Sequence, residues 1–469
     1  MVIAKVTTTL MVPRATTGDT MAVVGFGRAS QALVRYLCES GIRVLVSDIR
    51  NYSDLSPKEQ ELLDQCVAEY EGGGHSTGFL ARADIVVASP GVNYRHSVLE
   101  KVRQSGATIL GELALAADKF KAPVIGVTGT NGKTTVTELI GSIFKAAGKN
   151  VFVGGNIGTP IGEYLLSDEE YEAVVLELSS FQLELCGDFM PEVGILLNIT
   201  PDHLDRHETV EGYAAAKMNM FQGGSAKTFS VINGDDPLCR RFSQIMTGVE
   251  WARFGHEDHF EASIRGSRVV MPDVTYELAG SKLENLSGLL NSAAALLATK
   301  DFGFEKEAVQ QALIEFEPGE HRLQRVARYN NITYINDSKA TNTGAVNNAI
   351  LQIGSRESTI VLIAGGRDKG DDYTLLRDSV ATHVKKLILI GEASRAIGEV
   401  LGDLVEVDYP ATLEEAVLRA TAACEPGDTV LFSPACASFD MFDDYKERGA
   451  CFIEAVHRLD QKKPTGMHQ

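Results

Sequence analysis

Apolar runs of roughly five to seven residues, rich in β-branched side chains, recur along the chain, and each feeds a segment with helical apolar spacing. Runs this short, with little polar alternation, predict parallel strands buried on both faces, and the repeated order of strand, turn and helix predicts an α/β fold. Three blocks emerge. The first opens with TMAVVGFGRASQALVRYLCESG, read as strand, turn and helix, followed by the strand IRVLVSD, a polar helix-rich stretch, the strand DIVVAS and the turn PGV. The second begins near Gly111 with the helical GELALAADKF. It continues through the strand APVIGVTG, the loop TNGKTT, a helix to about Gly148, the strands EAVVLELS and EVGILLNIT, a helix around EGYAAAKMNMF and the strand KTFSVING. A strand-rich excursion over residues 251–280 and the helical LLNSAAALLATKDFG precede its close near FEPGEHRLQ. The third block places strands at NITYINDS, STIVLIAGG, KKLILIGE and DTVLFSPA, each followed by a helical pattern. Domains are expected at residues 1–111, 112–318 and 319–469.

Length supports several domains, since 469 residues exceed the ~150 typical of one. No run of ~18 apolar residues marks a membrane span. The N-terminus MVIAKVTTTLMVPRATTGD is too weakly apolar for a secretory signal and reads as a short flexible tail. A net charge of −19 argues against a general nucleic-acid surface. An anionic ligand must therefore be held by a few local cations and backbone amides. Seven scattered cysteines with no C-x-x-C pair predict neither a disulfide framework nor a zinc cluster, and a reducing cytoplasm follows as the default.

The strongest chemical signal is TGTNGKTT, between an apolar strand and a helix starting at about Lys133. It resembles a phosphate loop but departs from G-x-x-x-x-G-K-[ST], whose first glycine would fall at Val127. Gly129 and Gly132 free backbone N–H groups to face phosphate, and the helix N-terminus adds partial positive charge. Lys133 would reach the terminal phosphates, and the Thr134 hydroxyl is placed to ligate Mg²⁺. A metal carboxylate should then end a neighbouring strand, and Glu177 in AVVLELSSFQLE meets that demand. His203 in NITPDHLDRHE, crowded by Asp202, Asp205 and His207, reads as a metal ligand, a hydrogen-bonding group or a structural histidine. In the first block, VGFGRAS has the start of a dinucleotide turn, with Ser30 where a third glycine would stand. An acid at Asp48 suits that reading as well as others.

Together GTNGKTT, LELSSFQLE, NITPDHLDRH and EHRLQ resemble the Mur ligase family, ATP-dependent amide-forming enzymes of peptidoglycan precursor synthesis, whose phosphate loop shows the same departure. The resemblance runs from about residue 20 to 460. NDSKATN, AGGRDKGDDY and SPACASFDMF in the third block resemble the branch that adds D-glutamate, and the D-N-P-R motif of the diaminopimelate- or lysine-adding branches is absent. The resemblance implies a Rossmann-like N-terminal domain, a P-loop NTPase-like central domain with a mainly parallel sheet, and a Rossmann-like C-terminal domain. It implies a monomer in the cytoplasm, acting on UDP-MurNAc-L-Ala and D-glutamate with ATP and two Mg²⁺ ions, without nucleic acid or membrane. ATP would contact Gly129, Thr130, Asn131, Gly132, Lys133, Thr134, Thr135, Asn291, Arg322 and Asp337. The family's second adenine-contacting asparagine is replaced by Gly288. The UDP-substrate would contact Gly27, Ser30, Asp48, Arg50, Gly91, Asn156 and Ser179. D-Glutamate would meet Lys339, Thr341, Lys369, Ser438, Phe439 and Tyr445. Thr134, Glu177, His203 and a carbamylated Lys217 would serve the metal, with Lys133, His203 and Lys217 catalytic. Cations divided between the second and third blocks imply that the third domain closes onto the second. Cys436 is expected to pack rather than react.

Other classes make different demands. A regulatory ATPase would release phosphate without any amino acid. An NAD-dependent dehydrogenase would use VGFGRAS but leaves TGTNGKTT without a role. Folylpolyglutamate synthases share a similar loop but are not expected to carry SPACAS or this first domain.

Overall fold

The computed structural model describes residues 19–222, 228–354 and 359–461, so the N-terminal tail lies outside the described residues. Three sheets carry the fold. The first contains β1 (Thr20–Val24), β2 (Arg43–Ser47), β3 (Glu69–Glu71), β4 (Ile85–Ala88) and β5 (Thr108–Leu110). Its order is β3-β2-β1-β4-β5, parallel throughout. The order reverses direction between β1 and β4, which opens a crevice at their carboxyl ends.

The second sheet comprises β6 (Val124–Thr128), β7 (Val151–Gly155), β8 (Ala173–Glu177), β9 (Val193–Leu196), β10 (Phe229–Asn233), β11 (Trp251–Gly255), β12 (Ala262–Arg265), β13 (Arg268–Val270) and β14 (Thr275–Glu277). Its order is β14-β13-β12-β11-β10-β9-β6-β8-β7, parallel from β7 to β12 and antiparallel only at the two terminal hairpins. Every residue of β6 and β8 is buried, as the unbroken apolar runs predict.

The third sheet comprises β15 (Gln324–Tyr329), β16 (Ile332–Asn336), β17 (Ile360–Gly365), β18 (Val384–Ile390), β19 (Glu406–Asp408) and β20 (Thr429–Phe432). The order is β15-β16-β20-β17-β18-β19, antiparallel only between β15 and β16. Apolar cores cover both of its faces, one against helix Thr343–Ile353, the other against helices Leu413–Ala422 and Tyr445–Gln461.

The chain forms two compact units. The described residues up to Ile199, with Glu211–Glu284 and Gly288–Phe316, make the first; Thr200–Val210, Asn285–Ser287 and the chain from Glu317 onward make the second. Inside the first unit, helix Arg28–Glu39 lies against helix Ile161–Leu166. Gly162 fits there because a Cβ would meet the backbone of Ala32 and Leu33 at 2.7 Å. Arg35 pairs with Glu163 across the same seam, and Glu112 accepts the Gly162 N–H at 3.1 Å. Among the described residues no helix is long and apolar enough to cross a membrane.

Five strands escaped the sequence pattern: β3, β5, β7, β15 and β19. β3, β5 and β19 are three residues long, too short to show a period. β7 ends in two glycines because β8 approaches closely. A Cβ on Gly155, at φ +99°, would lie 2.4 Å from the Glu177 carbonyl oxygen. β15 is a bulged edge strand with no fully buried residue.

Candidate active site

β6 runs into Gly129, and helix Lys133–Ala146 starts directly after Gly132. Both glycines are required. Gly129 has φ +148° and abuts Leu197; Gly132, the N-cap, has φ +84°, and a Cβ there would lie 2.5 Å from the Asn291 Oδ1. The loop is braced by a residue that the sequence reading passed over. Asn198, just beyond β9, accepts the Thr130 N–H with its carbonyl at 3.0 Å. Its side-chain Oδ1 accepts the Asn131 N–H at 2.8 Å, while its Nδ2 donates to the Asn131 carbonyl at 2.9 Å. The N–H groups of Thr130 and Asn131 therefore face the scaffold. The first helical turn follows at Gly132 to Thr135, where an α-helix in general leaves N–H groups without intrahelical acceptors.

Lys133 folds over the loop, donating to the carbonyls of Gly129 at 3.0 Å and Thr130 at 2.7 Å. Lys217, only 1% exposed, donates to the same Gly129 carbonyl at 2.7 Å and sits over the Tyr213 ring. Two ammonium groups thus converge on one edge of the loop. Glu177, 2% exposed, ends β8 beside them. One of its oxygens accepts the Thr134 hydroxyl at 2.6 Å and the other the Asn156 amide at 2.7 Å. A buried carboxylate next to a hydroxyl is a hard-oxygen donor set, and Mg²⁺ commonly takes one or two protein oxygens and completes its shell from phosphate and water. The residues fit that ion. Among the described residues no group of three or more His, Cys, Asp and Glu forms a cage by itself.

Asn291 borders Gly132 in the same unit. The absent second asparagine has a steric cause: a Cβ on Gly288 would come within 2.4 Å of the Leu283 carbonyl oxygen.

The residues expected around UDP-substrate lie in the first unit. Gly27 caps helix Arg28–Glu39 and is exposed, whereas Ser30 is buried beside a small cavity with Ser89 and Glu112 at the carboxyl ends of β1 and β4. Asp48 accepts the Phe26 N–H at 2.5 Å and the Arg50 backbone and side chain at 2.9 and 3.0 Å. Burial opposes ionisation of Asp48, but the Arg50 backbone and guanidinium and the Phe26 N–H outweigh it and hold the carboxyl below its usual range. Arg50 also bonds the Phe26 carbonyl and Glu59. This pair therefore shapes the first glycine turn. Gly91 is exposed, and Ser179 caps the short helix Ser180–Leu183 through a reciprocal bond with Gln182.

The remaining candidates lie in the second unit. Asp337, ending β16, accepts the Leu323 N–H at 3.1 Å and the Ser433 hydroxyl at 2.8 Å. Burial pushes its carboxyl up to about 7, against those two bonds and the Arg322 charge. Lys339 lies over the Tyr445 ring at 4.0 Å. Lys369 is held by Asp202 at 2.8 Å, and Asn342 reaches the other Asp202 oxygen at 3.2 Å. Burial works against the Lys369 charge, but Asp202 and Asp371 more than restore it, so its pKa is raised. His203, at φ +53°, follows Asp202 and bonds its carboxylate through its own N–H. Thr341 is half-buried and Ser438 buried, but Phe439 is 65% exposed and walls nothing in this conformation. Cys436 is buried, and burial pushes its thiol up to about 12, as suits a packing residue. Arg448, also missed from sequence, is 1% exposed and joins Ser338 to the carbonyls of Cys436 and Ala437. A lone arginine in a helix gave no hint of this.

Comparison with known proteins agrees with this architecture. Three family descriptions match in chain order: the Mur ligase MurD-like N-terminal domain at residues 19–111, the Mur ligase middle domain at 127–299, and the Mur ligase glutamate ligase domain at 321–436. The UDP-N-acetylmuramoylalanine–D-glutamate ligase of Desulfotalea psychrophila is 44% identical over 94% of this chain and 96% of its own. That of Geotalea uraniireducens is 41% identical over 93% and 97%. The MurF ligase of Thermotoga maritima, solved in complex with ADP, superposes with a TM-score of 0.61 at 18% identity, over 89% of this chain and 96% of that one, and shares the fold. The chain belongs to the Mur ligase family.

Proposed function

We infer that the protein is an ATP-dependent ligase that joins D-glutamate to UDP-N-acetylmuramoyl-L-alanine in peptidoglycan precursor synthesis. The observation that carries the chemistry is the convergence of Lys133, Thr134 and Glu177 on one glycine loop, and the near-full-length likeness to D-glutamate ligases supports the substrate pair. A carboxylate is a poor acyl donor until one oxygen becomes a leaving group. An oxygen of the alanyl carboxylate attacks the γ-phosphorus of ATP, the bond to the bridging oxygen breaks, and ADP departs. The D-glutamate amine then attacks the acyl carbon, loses a proton and expels phosphate. Both steps bring anions together, so the site must concentrate positive charge. Lys133 and the first turn of its helix bind the phosphates. Thr134 and Glu177 would hold Mg²⁺, which would neutralise phosphate charge. Lys217 in carbamylated form would hold a second ion, and His203 would also serve the metal.

In this reading residues 1–111 bind the UDP-substrate through Gly27, Ser30, Asp48, Arg50 and Gly91, and residues 112–318 bind ATP. Residues 319–469 bind D-glutamate through Lys339, Thr341, Lys369, Ser438, Phe439 and Tyr445, and their Arg322 and Asp337 serve ATP. Asp202 holds Lys369 in place until the dicarboxylate arrives. All seven cysteines are free thiols, which supports a cytoplasmic enzyme; it acts as a monomer.

An amino-acid panel with UDP-MurNAc-L-Ala and ATP tests the assignment, reading phosphate release and product mass. D-Glutamate alone should drive both; amino-acid-independent release would favour a regulatory ATPase. Closure of the third domain is tested by scattering with and without an ATP analogue and substrate, where compaction is expected.

A further inference from the structure

The loop TGTNGKTT lacks the usual phosphate-loop spacing, so something other than its own glycine pattern must set its shape. The neighbouring strand supplies it. The β6–β9 ladder continues past the strand ends: the Leu197 N–H reaches the Thr128 carbonyl at 3.0 Å, and the Thr130 N–H reaches the Asn198 carbonyl at 3.0 Å. There the main chain of β9 turns away. The Asn198 side chain then takes over, because a carboxamide carries the same donor and acceptor as a peptide group. It bonds both sides of the Asn131 residue, N–H at 2.8 Å and carbonyl at 2.9 Å. The side chain acts as one further rung of sheet. Packing reinforces the register: a Cβ on Gly129 would meet the Leu197 Cβ at 2.9 Å and the Asn198 nitrogen at 3.3 Å.

We propose that Asn198 is the positioning residue of this variant phosphate loop, its side-chain amide fixing the Asn131 peptide so that the donors of Gly132 to Thr135 face the nucleotide. It rests on the reading that places ATP phosphates on this loop. Asn198 does not touch substrate in this account. It acts through Asn131, and its loss should be felt in ATP binding alone. Alanine removes both bonds. Aspartate keeps the shape and the acceptor but loses the donor, sets a carboxylate oxygen against the Asn131 carbonyl, and brings negative charge next to the phosphate site.

The test uses the full-length enzyme with steady-state kinetics for each of the three substrates, plus amide-resolved hydrogen exchange without nucleotide. Asn198→Ala should raise the KM for ATP about tenfold and Asn198→Asp about a hundredfold, as a lost clamp and, in the aspartate, two opposed oxygens with added negative charge require. KM values for the UDP-substrate and D-glutamate should stay within about twofold, because no uniform binding to them is removed. The Asn131 amide should exchange faster in the alanine variant by about tenfold, its acceptor having been removed. Wild-type ATP KM and wild-type exchange would overturn the proposal, and so would a parallel rise in all three KM values, which marks a general structural role. If Asn198→Ala does not fold, the isosteric Asn198→Asp decides by its ATP KM against the other two. If Lys133→Ala leaves ATP affinity and turnover intact, the assignment of ATP to this loop fails, and the exchange of Asn131 still judges the clamp.

Discussion

Two strand–glycine–helix turns sit in the same compact unit, Val24–Ser30 after β1 and Thr128–Thr135 after β6. Each has a left-handed glycine, Gly25 at φ +84° and Gly132 at φ +84°, and each faces a carboxylate from the end of an adjacent strand region. They differ in what occupies that carboxylate. Asp48 is engaged by the backbone N–H of its own turn and by Arg50, so it shapes the loop. Glu177 is held by a hydroxyl and an amide side chain, with Lys133 and Lys217 converging on the Gly129 carbonyl nearby. Left-handed glycines permit the backbone form in both places, but the groups brought by neighbouring strands differ, and with them the polar surroundings of each turn.

Three substitutions probe that difference. Lys133→Ala should cut phosphate release by about 10³-fold, in the range expected for a lost transition-state cation, with UDP-substrate affinity nearly unchanged. Retained turnover would erase the distinction between the turns. Glu177→Gln keeps the shape but removes the charge; kcat should fall about 10–100-fold, and the Mg²⁺ concentration for half-maximal rate should rise. An unaltered Mg²⁺ dependence would mean that Glu177 does not serve the metal. Asp48→Asn should raise the KM for UDP-substrate about tenfold through a loosened turn while leaving that for ATP alone. A shift in ATP KM would show that the turns are not independent.

The smallest effect concerns the seam between the two domains that carry these turns. Burial pushes the Glu112 carboxyl from 4.5 up to about 7, despite the Gly162 N–H that favours ionisation. Between those values the folded state retains a proton that the unfolded chain has lost, so stability falls as pH rises across that window. Glu112→Gln should flatten the melting temperature between pH 5 and 8, gaining a few degrees at the upper end. A melting profile as steep as wild type would show that another group sets the dependence.

Much was settled by the sequence alone. Short apolar runs that feed helices, such as those of β6, β8 and β17, point to buried parallel strands, because a strand covered on both faces tolerates apolar residues at successive positions. TGTNGKTT and LELSS likewise marked Lys133, Thr134 and Glu177 as candidates, since a charge at the end of an apolar strand is costly without a partner, and Thr134 is the partner that Glu177 finds. Other features belong to tertiary structure. Asn198, Arg448 and the Asp202–Lys369 pair act through contacts between residues 11 to 167 positions apart, and no local pattern distinguishes their residue types from ordinary surface polar groups. Gly155 and Gly162 are required by the backbone that passes over them, a steric fact absent from their own neighbourhoods in the chain. Local periodicity reports which face of an element is buried; which polar groups meet there is decided only when the strands are set side by side.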